Sequence, residues 1–313
     1  MPDEIKDALL IYNLASGRRR HRRFAEVEEA ARVLNGAGID TELAPTKGRG
    51  SATGIARLAV KQRRGMVILC GGDGTINEAV NGLAGSNVPM ALLPAGTANI
   101  LAKELRIPWD IPHAARLIPK GVVRRIALGI AIPADGHHSS EISRDGRYFM
   151  CTAGAGADGA IVNALDLKLK ENAGILAYWA EGIRQLIRYP FPEFRVCSVG
   201  EERRATTIVV GRTVNYGGPF KITTNANLFE DSFEIVAVSS KSRTRYLQCL
   251  PALWLGKLRN LEGVYAWKTA GVSCEPIDGQ EVQAQVDGEP IGPLPKEFRV
   301  VPDALSLVTP AGL

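Results

Sequence analysis

Apolar residues fall into two rhythms along this chain. Up to about residue 130, short wholly apolar runs alternate with stretches in which apolar positions recur every three or four residues. Ala8–Tyr12 and the run 66–70 (Met-Val-Ile-Leu-Cys) are bounded by turn residues and too apolar to leave one face in water. They read as strands buried on both faces, as in a parallel sheet. Residues 39–46 and 90–93 read as further strands. Phe24 to Leu34 has helical spacing and stops at Asn35-Gly-Ala-Gly38; residues 53–64 and 76–83 repeat the pattern. Alternating strand and helix predicts an α/β domain with helices on both faces of a parallel sheet.

After Val122 the rhythm becomes two-residue alternation, in short runs at 148–153, 194–199, 206–210, 233–238, 264–268 and 282–286. Turn residues separate them, which predicts an antiparallel β domain. Amphipathic stretches at 173–188 and 243–259 read as helices, and Phe298 to Leu307 alternates once more. The domain boundary is expected near 128–132.

The richest chemistry sits where the third strand meets its helix. Gly71, Gly72, Asp73, Gly74 and Thr75 follow the 66–70 run and lead into Ile76-Asn77-Glu78. Such a turn lies at the carboxyl edge of a parallel sheet, where open α/β folds bind ligands. Glycines admit phosphate close to the backbone, and a helix start offers unpaired N–H groups. An aspartate in that loop would repel phosphate unless a divalent cation stood between them. A tight βα turn with a polar tip is the plainer reading of the same residues. Asn13, Ser16 and Gly17 follow the first strand, Thr46 the second, and Gly96 with Thr97 the fourth, so all are expected on one sheet edge. No Gly-x-x-x-x-Gly-Lys-Ser/Thr occurs, and a P-loop is excluded. Gly154-Ala-Gly156-Ala-Asp158-Gly159 satisfies a dinucleotide fingerprint, but it lies where the pattern turns antiparallel and lacks the following βαβ unit. Asp287-Gly288-Glu289 reads either as a β-hairpin turn or as two carboxylates aimed at one pocket.

Composition narrows the partners. The 313 residues, 45% of them hydrophobic, can build two cores, and the net charge of +5 favours anionic partners. Arg18-Arg-Arg-His-Arg-Arg23 holds five arginines in six positions, a solvated face or a contact for phosphate or anionic lipid. Nucleic acid is not expected, because no aromatic run interleaves the basic residues. Five scattered cysteines without Cys-x-x-Cys spacing suggest a reducing cytoplasm and argue against disulfides or zinc. His137-His138 reads as an exposed turn. A charged start with no apolar segment after it reads as no secretory signal, and no run is long enough to span a bilayer. A soluble or peripheral protein is expected, its oligomeric state open, a homodimer included. Tyr178 and Trp179, and Trp254 with Lys257 and Arg259, would suit helices lying at a bilayer interface as well as helices packed on a core.

Together Asn13-x-x-Ser16-Gly17, Gly71-Gly-Asp-Gly-Thr-x-Asn-Glu78, Pro94-Ala-Gly-Thr-Ala-Asn99 and Val286-Asp-Gly-Glu289 resemble, in order, the diacylglycerol kinase-type catalytic domain, which bacterial lipid kinases share with diacylglycerol and sphingosine kinases and, more distantly, with NAD kinases. The resemblance covers about the whole chain. It implies a Rossmann-like nucleotide-binding domain at 1–130, a β-sandwich lipid-substrate domain at 131–297 and a tail, 298–313, returning to the first domain. It implies an ATP- and magnesium-dependent kinase acting on diacylglycerol or a similar lipid alcohol at the inner face of the membrane. By resemblance ATP is held by Asn13, Ser16, Gly17, Thr46, Gly71–Thr75, Asn77, Glu78, Gly96 and Thr97. Asp73 acts through magnesium and Asp158 belongs to the same acidic cluster. Glu289, with Asp287 beside it, becomes the general base. A structural magnesium would be held by the carbonyls of Leu228 and Phe233 and the carboxylate of Asp231. Two departures stand out: Ile100 replaces a common aspartate, and Ser232 a common glycine. The first keeps a non-catalytic nucleotide or lipid sensor open. An NAD kinase-like enzyme is the other rival, although there the Asn-Glu pair normally lies well downstream.

Overall fold

A computed structural model of the chain describes residues 5–17, 20–134, 146–164, 182, 184–217, 220–277 and 279–312. By contact the chain forms two units, one running to Leu128 and taking in Val301 onwards, the other spanning Gly129–Val300.

The first unit follows the predicted alternation: β1 (Asp7–Tyr12), α1 (Arg20–Gly36), β2 (Asp40–Pro45), α2 (Ser51–Lys61), β3 (Val67–Gly71), α3 (Asp73–Leu83) and β4 (Met90–Pro94). The strands pair in parallel in the order β2-β1-β3-β4, with Leu10 opposite Leu43 and Ile68, and Ile68 opposite Ala91. Every residue of β3 and β4 is buried, as wholly apolar runs require. Three further elements were not legible: α4 (Ile100–Glu104), α5 (Ile111–Leu117) and β5 (Val122–Pro133). Both helices are shorter than the window in which helical periodicity shows. α5 is fixed by its cap, Asp110, whose side chain accepts the His113 N–H at 2.8 Å.

The second unit begins within β5 and contains β6 (Arg147–Phe149), β7 (Thr152–Gly156), α6 (Ala157–Ala164), β8 (Phe194–Ser198), β9 (Glu201–Ala205) and β10 (Thr207–Gly211). β11 (Asn215–Tyr216), β12 (Phe220–Lys221), β13 (Phe233–Val238), α7 (Arg243–Trp254), β14 (Val264–Thr269), β15 (Gly271–Pro276), β16 (Gln283–Val286), β17 (Glu289–Pro293) and β18 (Lys296–Thr309) complete the chain. Six strands form one antiparallel sheet, β14-β13-β10-β7-β16-β17; β9, β8, β15 and the first residues of β18 form another. Between them lies one core, with Ala153, Ile208, Phe233 and Val286 from the first and Phe194, Val196, Cys274 and Phe298 from the second. Phe149 stacks on Phe233 at 5.7 Å between ring centroids. This is a β-sandwich. At its far end β18 pairs in parallel with β4, Leu307 opposite Met90, inside the first unit.

Two local expectations change. The stretch 148–153 is not one strand: β6 ends at Phe149 and β7 starts at Thr152, so Gly154 and Gly156 lie inside a strand. The predicted 243–259 helix ends at Trp254, and Gly256 follows with φ 64°, a backbone state that stops a helix. The other predicted helix, 173–188, falls mostly outside the described residues, including Tyr178 and Trp179; residues 184–188 are helical. His137-His138 also lies outside them.

Candidate active site

Three turns meet at the carboxyl edge of the parallel sheet. After β1, Asn13 accepts the Ala15 N–H at 2.9 Å and donates to the Thr75 hydroxyl at 3.2 Å. The Ser16 hydroxyl accepts the Gly72 N–H at 3.3 Å. After β3 and β4, Gly72 and Gly96 touch: a Cβ on Gly96 would stand 2.5 Å from the Gly72 Cα. One on Gly17 would stand 2.3 Å from the Ala95 carbonyl, and Gly17 holds φ at +68°. No other residue type fits these contacts. Asn99 closes the third turn, accepting from the Gly96 N–H at 2.8 Å and donating to its carbonyl at 3.1 Å. Thr97 is exposed at the tip, and Thr46 follows β2 on the same edge. Together with the start of α3, whose N-cap Gly72 offers no side chain, the turns form a cradle of bare backbone that fits phosphate.

Arg23 stiffens this cradle. It is buried, donates to the Ser16 and Ala95 carbonyls at 3.3 and 3.1 Å, and pairs with Glu26 at 2.9 Å. One of the five clustered arginines is therefore a strut, not part of a solvated face. Arg18 and Arg19 lie outside the described residues.

Asp73 opens α3, and both its oxygens accept backbone N–H groups, from Asn99 at 3.0 Å and Ile100 at 2.7 Å. Each oxygen keeps a further lone pair, and the carboxylate is partly exposed. Magnesium usually takes one or two carboxylates and fills its shell with phosphate and water, so Asp73 fits that role. The Ile100 side chain is buried; its contribution to the turn is the N–H that Asp73 holds. Glu78 faces elsewhere: its carboxylate accepts the Gly50 and Ala52 N–H groups at 2.7 and 3.2 Å and caps α2. Asn77 is buried, with its carbonyl accepting from Asn81 at 2.9 Å.

In the second unit the 287–289 segment is a two-residue hairpin turn. Asp287 and Gly288 both have positive φ, 46° and 79°, and Val286 faces Glu289. The Asp287 carboxylate accepts three consecutive N–H groups, from Met150, Cys151 and Thr152, at 2.8, 2.9 and 3.0 Å. Gln285, which the sequence did not single out, accepts the Gly288 N–H at 2.8 Å and donates to Asp158 at 2.8 Å. The Tyr216 hydroxyl donates to the other Asp158 oxygen. Asp158 is buried, and desolvation raises its carboxyl above the usual range although both hydrogen bonds oppose this. Glu289, half-buried, starts β17 next to this braced turn.

The glycines of the fingerprint-like segment serve packing. A Cβ on Gly156 would meet the Thr206 carbonyl at 2.1 Å, and one on Gly159, inside α6, the Gln283 carbonyl at 2.1 Å. Gly159 lets α6 lie against β16, and Gly156 lets the end of β7 approach the backbone at Thr206.

The loop expected to hold a structural metal is gripped by a buried side chain. Arg212, fully buried, donates to the Leu228 carbonyl at 2.7 Å and the Glu230 carbonyl at 3.2 Å. Asp231 is exposed, and Phe233 is buried at the start of β13. The surface also carries Trp254 and Leu255, 73% and 68% exposed, and Leu247, at 43%. No helix among the described residues is long and apolar enough to cross a membrane.

Comparison with known proteins agrees with both units. Residues 7–131 match the diacylglycerol kinase catalytic domain, and residues 151–309 match the YegS C-terminal NAD kinase beta sandwich-like domain. A diacylglycerol kinase of Bacillus subtilis is 29% identical over 299 residues, 94% of this chain and 93% of its own length. One from Mycobacterium tuberculosis H37Rv is 28% identical over 321 residues, covering 95% and 99%. In fold, the chain resembles a crystal structure of a diacylglycerol kinase from Bacillus anthracis, with a TM-score of 0.76, 21% identity and 99% of each chain covered. Motif order, two-unit architecture and full-length similarity converge: the chain belongs to the diacylglycerol kinase catalytic-domain family of lipid kinases.

Proposed function

We propose that this protein transfers the γ-phosphoryl group of ATP to the hydroxyl of diacylglycerol or a similar lipid alcohol. The observation that carries the reading is the cradle of Gly17, Gly72 and Gly96, three turns in backbone contact at the edge where α/β folds take nucleotides. Phosphoryl transfer needs positioning and charge neutralisation more than covalent chemistry. The cradle supplies positioning through backbone N–H groups. Magnesium, when held against Asp73, supplies charge neutralisation on the phosphates. Arg23 and the Asp73 clamp on Asn99 and Ile100 keep the turns fixed, so little order has to be created on binding.

Glu289 takes the proton from the lipid hydroxyl. Asp287 is a positioning residue in this scheme, because its oxygens hold the Met150–Thr152 backbone. Gln285 and Asp158 brace the same turn from α6. The test is turnover of labelled ATP on mixed lipid micelles. Glu289→Gln should cut kcat by about 10²-fold or more while nucleotide affinity persists. Near-normal turnover would remove Glu289 from the mechanism. Nucleotide binding without turnover by the wild type would favour the sensor reading raised by Ile100.

A lipid hydroxyl at the bilayer surface has to be met there. Trp254 and Leu255 sit exposed at the end of α7, next to Lys257, which suits insertion at headgroup depth beside an anionic surface. We infer peripheral binding to the inner face of the membrane through this corner, aided by the net charge of +5.

A further inference from the structure

Lipid kinases of this family are expected to close the loop between Asn227 and Phe233 with a bound divalent cation, and the side chains here are arranged for something else. Arg212 directly follows β10, and its backbone N–H donates to the Cys151 carbonyl at 2.8 Å. Its guanidinium is 0% exposed and reaches the Leu228 and Glu230 carbonyls. The Leu228 carbonyl is the oxygen that a metal would need. A guanidinium is a donor fork with no acceptor, so it meets carbonyl oxygens as a cation does, by attracting their lone pairs. Magnesium on the same oxygen at about 2.1 Å would stand within about 5 Å of the guanidinium. Two cations cannot share so small a volume with a single nearby carboxylate, Asp231, to offset them.

The rest of the loop is self-sufficient. Asn227 accepts the Phe229 N–H at 3.0 Å, and the Glu230 N–H returns to the Asn227 carbonyl at 3.1 Å. The Glu230 carboxylate is held by Lys268 at 2.6 Å and Ser232 at 3.3 Å. Ser232 therefore contributes a hydroxyl where the family commonly has glycine. We propose that Arg212 is a built-in replacement for the structural metal, so that the 228–233 loop folds with no divalent cation. Burial lowers the Arg212 pKa to about 10 while Asp231 opposes the shift, and the side chain is still charged at neutral pH. Its Nε has no partner, consistent with a group placed for its two terminal nitrogens.

The experiment compares wild type, Arg212→Gln and Asp231→Asn without nucleotide. Metal content of the purified proteins is measured by elemental analysis, and thermal unfolding is followed in excess magnesium and in chelator. The expected result is equal metal content in wild type and Asp231→Asn, with the same small response to magnesium in both. Arg212→Gln should unfold lower by roughly 10 °C, since removing one partner strands buried carbonyls. A stoichiometric divalent ion in wild type that is lost in Asp231→Asn, or a magnesium-dependent rise in Tm abolished by that substitution, would overturn the proposal. If Arg212→Gln does not fold, the comparison of wild type with Asp231→Asn decides alone.

Discussion

At the edge of the parallel sheet, what would meet phosphate is bare backbone: Gly17 and Gly96 admit no side chain, Gly72 lies against Gly96, and the polar groups around them hold the turns. In the sandwich the arrangement is reversed. There the 287–289 turn is fixed by side chains of its own hairpin, Gln285 holding the Gly288 N–H and Asp287 gripping the 150–152 backbone, with Asp158 behind them. The first construction tolerates no added carbon at Gly17 or Gly96. The second accepts changes of size on its exposed side and depends on the protonation and hydrogen bonding of buried groups. The two units should therefore fail in different ways.

The sharpest break is expected in the cradle. Gly96→Val places a Cβ against the Gly72 backbone, which cannot give way as a flexible side chain could. Nucleotide binding should fall by more than about 10³-fold, because a misplaced backbone cradle loses several charge-assisted hydrogen bonds together. Isothermal titration with ATP, alongside a thermal scan to confirm folding, checks it. A folded variant that binds ATP normally would remove the cradle from the nucleotide site.

A smaller effect is expected on the sandwich side, at the exposed corner of α7. Replacing Trp254 and Leu255 together by serine should weaken sedimentation with anionic vesicles by roughly ten- to a hundredfold, from the lost apolar burial. Catalysis on a short-chain, water-soluble lipid alcohol should be untouched. Added salt should release the wild type as screening grows. Equal binding to neutral and anionic vesicles would remove the electrostatic part of the idea.

The smallest effect separates the two constructions by pH. The Asp158 carboxyl is raised above its ordinary 3.8 by burial. The folded protein thus keeps a proton that the unfolded chain releases, and stability falls as pH rises from near that value through the raised one. Above it the cost is fully present. Asp158→Asn, whose amide can donate to Tyr216 and accept from Gln285, should melt higher than wild type at neutral pH by a few degrees. The gap should close as pH falls toward 4. A gap independent of pH would mean that Asp158 is ionised in the fold at no cost.

The same contrast explains what the sequence made legible. The parallel sheet was readable because β3 and β4 are buried on both faces and so are apolar throughout. The glycine turns were readable because close backbone approach leaves glycine as the only option. Glu78 and Arg23 have structural roles that the sequence did not show, for a shared reason. A carboxylate beside a glycine loop and an arginine in a basic run look functional, and only the tertiary structure shows one capping α2 and the other bracing Ala95. Gln285 and Arg212 gave no signal at all. Gln285 sits in Val-Gln-Ala-Gln-Val, where alternation makes it look solvent-facing, yet α6 covers that face. Arg212 follows an apolar strand, and its side-chain partners lie 16 and 18 residues away in a loop. The Gly154–Gly159 match imitated a dinucleotide site because tight packing and phosphate approach both demand a missing Cβ.

The hairpin at Asp287-Gly288 also bears on how the protein ages. Among aspartyl pairs, aspartate followed by glycine is the most prone to cyclise, the glycine nitrogen attacking the aspartate side chain and leaving a rearranged, lengthened backbone. Here that nitrogen donates to Gln285, and the side chain is held by three N–H groups of another segment. The folded chain should be spared a reaction that its unfolded form invites, and peptide mapping after storage in each state would show it. The clamps that hold the start of β17 would then also set the shelf life of the turn.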